Sequence, residues 1–85
     1  MSKTINLIQT FNWYETTVTG RKRIEYRHVT THWKKRIWDE RKNLTHVKFG
    51  RGYTKANETF KILKIDKGPC PIPGWKDTYY RIHFE

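Results

Sequence analysis

The chain has 85 residues, enough for one hydrophobic core and too few for two. Lysine and arginine number 18 against 8 acidic residues, and the net charge of +10 concentrates polyanions around the molecule, so nucleic acid is the expected partner. An anionic membrane fits less well, because there is neither a long apolar run nor a basic helix of strong amphipathicity, and the single Cys70 excludes a disulfide-stapled scaffold.

A domain of this size buries only about 60% of its unfolded surface. Four Trp, five Tyr and four Phe offset the shortage of aliphatic side chains, since each aromatic can bury about 150–250 Å². Ile5 to Ile8 is too short for the apolar segment of a signal peptide and is interrupted by Asn6, so a cytoplasmic, monomeric protein is expected.

Residues 4–9 alternate and predict a strand. Thr10 stands where it can cap a short helix that runs through Val18 and stops at Gly20. That helix is poor in intrinsic propensity, so packing of Phe11, Tyr14 and Val18 must hold it. Residues 22–29 predict a second strand with Ile24, Tyr26 and His28 on one face and Arg23, Glu25 and Arg27 on the other. Thr30 or Thr31 can cap a helix from His32 to about Lys42, with Trp33, Ile37 and Arg41 on one stripe and Trp38 beside them, the two Trp towards the core.

Thr45 to Gly50 predicts a third strand with Val47 and Phe49 inward, followed by a turn at Gly50-Arg51-Gly52. Thr59 to Asp66 alternates with one slip, the pattern of a bulge. Residues 67–77, with three prolines and two glycines, read as a loop, and Tyr79 to Phe84 as a last strand with Tyr80, Ile82 and Phe84 on one face. Together these elements predict a single α+β domain, residues 1–85: a small, partly closed barrel of about five strands with two short helices.

The most informative segment is Gly20 to Arg27. A strand face carrying Arg23, Glu25 and Arg27 is not expected in a core; read by itself it is equally a solvated edge. Gly20-x-Lys22-x-x-Glu25-x-Arg27 matches the GxKxxExR signature of the ASCH family, a branch of the PUA-like superfamily. The surroundings resemble it too: Trp13-Tyr14 before the glycine, Trp33 to Trp38 after the strand, then Val47-Lys48-Phe49, Gly52-Tyr53, Gly74-Trp75 and Tyr80-Arg81-Ile82. The resemblance is to compact ASCH proteins of bacteria and their mobile elements, and it implies a β-barrel whose cleft is lined by the signature strand and suits RNA or a nucleotide.

Some proteins resembling this pattern remove the acyl group from acetylated cytidine, using a threonine three residues after the signature lysine. Lys22 matches that lysine, but Glu25 stands at the threonine, and a carboxylate does not replace an activated hydroxyl in acyl transfer. A further branch is ribonucleolytic. Flanked by two arginines, Glu25 suits a hydrogen-bond acceptor for a base edge better than a general acid.

The expected function is therefore an RNA- or nucleotide-binding module without catalytic residues, metal or cofactor. The expected binding residues are Lys22, Arg23, Glu25, Tyr26, Arg27, Lys34, Lys35, Arg51, Tyr53, Lys55 and Trp75. Lysine and arginine would position phosphates, while Tyr26, Tyr53 and Trp75 would stack on bases. Two alternatives are an enzyme acting on RNA or a modified nucleoside through Lys22 and Glu25, and a protein-interaction module of a mobile element. Four scattered histidines and one cysteine do not make a zinc pattern.

Overall fold

A computed structural model describes residues 3–20 and 23–85; Lys22 and its neighbour Arg21 lie outside the described residues. The order of elements is β1 (Thr4–Gln9), α1 (Phe11–Val18), β2 (Ile24–His28), α2 (Thr31–Trp33), β3 (His46–Arg51), β4 (Asn57–Pro69) and β5 (Thr78–Phe84). The strands make one five-stranded sheet in the order β1-β3-β4-β5-β2, curled into a half-barrel. The pair β1–β3 is parallel and the other three pairs are antiparallel.

Alternation decides what each strand buries. In β1, Ile5, Leu7 and Gln9 are buried while Thr4, Asn6 and Ile8 are exposed. Ile5 stands opposite Val47 and Leu7 opposite Phe49, so the parallel register brings four apolar side chains to one face. Tyr80, Ile82 and Phe84 of β5 are buried as the pattern predicts, and the rings of Phe49, Phe60 and Phe84 meet at 5.1–6.0 Å. The slip in β4 is an irregularity between Ile62 and Lys64, with Leu63 turned outward.

The helices depart from expectation. Tyr14 and Thr17, rather than Phe11 and Val18, are the buried residues of α1. Thr10 takes the extended cap conformation but makes no side-chain cap bond, and Gly20 ends the segment at φ +87°. The hydroxyls of Thr16, Thr17 and Thr19 donate to carbonyls one turn back at 2.8–2.9 Å, which satisfies these polar groups inside a weak helix.

Thr30 caps α2, accepting from the Trp33 amide at 3.2 Å. The chain then widens into a π-helical stretch, Lys34–Trp38, instead of an α-helix reaching Lys42. The wider turn lets Trp33 and Trp38, five residues apart, both pack against the core while Ile37 is fully buried.

The loop expected from Lys67 begins only after Pro69, because Lys67, Gly68 and Pro69 continue the ladder with β5. No helix among the described residues is long and apolar enough to cross a membrane.

Candidate functional site

The strand order leaves β1 and β2 as the two edges of the sheet, and side chains rather than a backbone ladder span the seam between them. Arg27 Nη2 donates to the Ile8 carbonyl oxygen at 3.0 Å. The same guanidinium holds Glu25 Oε2 through Nε at 3.0 Å and Nη2 at 2.7 Å. Gln9 Nε2, from the other edge, donates to Glu25 Oε1 over a long 3.4 Å.

Glu25 and Gln9 are each only 4% exposed, which corrects the expectation that the charged face of β2 lies outside the core. Pairing with β5 puts Glu25 opposite Ile82 and Arg27 opposite Tyr80, so this face turns into the half-barrel. The other face is covered by the loop after β4. Trp75 lies 5.4 Å from Tyr79 and stacks on His28 at 6.3 Å, and Tyr26 meets Tyr79 edge-on at 6.4 Å.

A pocket of about 220 Å³ opens at this seam. Its floor is Gln9 and Glu25, its walls are Trp13, Trp33 and Trp75, and Thr10, Tyr26, Arg27 and His28 complete most of its rim. Both faces of β2 contribute because β2 is a sheet edge. Trp13 and Trp75 stand edge to face at 6.1 Å, and the Arg27 guanidinium lies 5.1 Å from the centre of the Trp33 ring. Burial holds the Tyr26 hydroxyl above its ordinary pKa.

Gln9 Oε1 has a different status. It is buried and has no hydrogen-bond partner among the described residues. A buried acceptor left unpaired costs about 1–3 kcal/mol. Its orientation is fixed by chemistry, since turning the amide would set an oxygen against the Glu25 carboxylate.

Of the expected site residues, Glu25, Tyr26, Arg27 and Trp75 line the pocket, and Lys22 lies outside the described residues. Arg23 instead caps the end of the core, donating to the Thr17 carbonyl at 2.9 Å with its guanidinium 5.3 Å from the Phe60 ring centre. Lys34 pairs with Asp39 at 3.0 Å, and Lys35 lines a separate small cavity with Arg36 and Glu40. Arg51 pairs with Glu15 at 2.9 Å and covers Phe11. Tyr53 and Lys55 are exposed on the turn after β3, and Tyr53 borders an adjoining trough.

Sequence reasoning missed Gln9; Trp33 packs against the core as expected and also lines the pocket, which was not expected. The signal for Gln9 was present: it occupies the third inward position of a strand whose other two inward residues are Ile5 and Leu7. Among the described residues, no three His, Cys, Asp or Glu side chains gather as metal ligands would. The arrangement joins aromatic walls to a floor of hydrogen-bond acceptors, which suits a planar ring bearing N–H groups. The chain matches no protein-family model, no curated protein and no solved structure.

Proposed function

We propose that the protein is an RNA- or nucleotide-binding module of the ASCH type and that the pocket at the seam takes one unstacked base. The observation that carries this reading is a pocket walled by three tryptophans and lined by the Glu25 carboxylate and by Gln9, whose buried Oε1 is unpaired. A base supplies what such a floor lacks, an amino or imino donor, and its faces suit the indole walls. The volume of about 220 Å³ is below the roughly 300–1,000 Å³ of drug-sized ligand sites and fits a single ring system.

Glu25 serves as an acceptor in this reading. Arg27 holds it in place through two hydrogen bonds, while the net charge of +10 draws the polyanion in. The signature lysine, Lys22, and the exposed basic side chains contact phosphate. The carboxylate standing in place of a threonine favours binding over acyl transfer.

The test is equilibrium binding of a short single-stranded RNA across a range of salt, for the wild type and Trp75→Ala. Loss of one stacking wall is expected to weaken binding about five- to 150-fold, with the salt slope unchanged because no charge is removed. Unchanged affinity would show that RNA is held by the charged surface alone.

A further inference from the structure

Beside the base pocket the outward faces of β1, β3 and β4 form a second concavity of about 470 Å³. Ile8 borders both spaces, so the two lie side by side. The register explains its shape. Ile8 stands opposite Gly50, and Gly50 opposite Asn57, making one cross-strand row with a glycine at its centre. Asn6 and Lys48 form the next row. Tyr53 stands at the border, 96% exposed, and Ile8 is 49% exposed.

The glycine is required neither by backbone conformation nor by crowding. Gly50 is not among the residues of positive φ, and a Cβ there would meet nothing nearer than the Gly52 carbonyl oxygen at 3.7 Å, an ordinary contact. What its missing side chain leaves is an open trough floor, flanked by a cation, two carboxamides and an exposed aromatic ring. An almost fully exposed tyrosine beside a groove that carries a lysine suits the stacking of a single-stranded nucleic acid.

We propose that this trough is a second nucleotide subsite. It takes the neighbour, along a single RNA strand, of the nucleotide whose base enters the pocket. Tyr53 stacks on its base, Lys48 neutralises its phosphate, and Asn6 and Asn57 offer hydrogen bonds to sugar or base edge. This inference rests on the base-pocket reading above. The trough gives that site a length requirement of two nucleotides, with the strand passing over Ile8.

The experiment compares a nucleoside 5′-monophosphate, a nucleoside 3′,5′-bisphosphate and the corresponding RNA dinucleotide, by calorimetry or fluorescence, on the wild type, Tyr53→Ala and Gly50→Val. A valine at Gly50 fills the trough while suiting a strand, and Tyr53 lies on an exposed turn, so its truncation leaves the core intact. The dinucleotide is expected to bind the wild type about five- to 150-fold tighter than the monophosphate. Both variants should lose that gain while keeping monophosphate affinity and melting temperature.

A bisphosphate that reproduces the whole gain would overturn the subsite, since charge alone would then explain it. So would a gain that survives in both variants, or no gain at all in a wild type that binds the monophosphate. Failure of every ligand to bind would overturn the pocket reading and the subsite with it.

Discussion

Arg27 and Glu25 are two residues apart on one strand, yet their pairing joins the two ends of the sheet. The Nη2 that holds the Glu25 carboxylate at 2.7 Å also donates to the Ile8 carbonyl oxygen at 3.0 Å, on the opposite edge. One guanidinium thus occupies backbone hydrogen-bonding capacity at an open seam, where an unprotected edge would invite pairing with another chain.

Removing that guanidinium takes two charge-assisted hydrogen bonds from a carboxylate that is nearly buried. Arg27→Ala is therefore expected to destabilise the protein by about 3–5 kcal/mol. Differential scanning calorimetry would show this as a melting temperature lower by well over 10 °C, given about 4–8 °C per kcal/mol for a domain of this size. A drop of only a few degrees would mean that the pair is solvent-relaxed and that the seam is held elsewhere.

Gln9 separates function from stability. Its bond to Glu25 is long at 3.4 Å, and its other polar atom is unpaired, so Gln9→Leu gives up little and removes a buried orphan. The melting temperature should stay the same or rise, while affinity for a base falls about tenfold, the effect of one lost hydrogen bond in a dry site. Unchanged affinity would remove Gln9 from the recognition floor.

Asp66 does not line the pocket and contributes to the response to acid. The hydrogen bond from Arg81 is the main cause holding its carboxyl below the ordinary value of 3.8; burial opposes this and His83 adds to it. With the folded pKa depressed, the stability it supplies is full above about pH 4 and is lost as pH falls through the folded pKa. Asp66→Asn should lower stability at pH 7 by about 1–2 kcal/mol, from the charged hydrogen bonds lost to Arg81. The difference from wild type should shrink below pH 4 in urea melts. A gap that stays constant down to pH 2 would contradict the assignment.

Lys22→Ala should weaken RNA binding at every sequence and reduce the slope of log K against log salt by about one. An unchanged slope would mean that this lysine touches no phosphate.

Much of the fold was legible because period-two alternation is a direct record of burial. Residues 4–9 were readable as a strand, Val47 and Phe49 as inward, and Tyr80, Ile82 and Phe84 as sharing one face, and the structure buries Ile5, Leu7 and all five of the others. Alternation fixes which residues share a face but not which face meets the core. For β2 the charged side turned inward, because pairing with β5 aligns Glu25 with Ile82. The early end of the second helix was also hidden, since a π-helical turn has no propensity signature in Lys34–Trp38. The pocket needed the seam. Gln9 and Glu25 are distant in sequence, and nothing local to either says that the sheet order makes their strands its two edges.

If the proposed function holds, the seam recognises a neutral base and not only a charged backbone. The most direct measurement is the quenching of tryptophan fluorescence by uncharged nucleosides bearing amino groups, guanosine and cytidine among them, at low and at high salt. Trp13, Trp33 and Trp75 line the pocket and report on its occupancy. Saturable quenching that persists at high salt and weakens in Gln9→Leu is expected. Fluorescence indifferent to every nucleoside, in a protein whose RNA binding vanishes with salt, would contradict it.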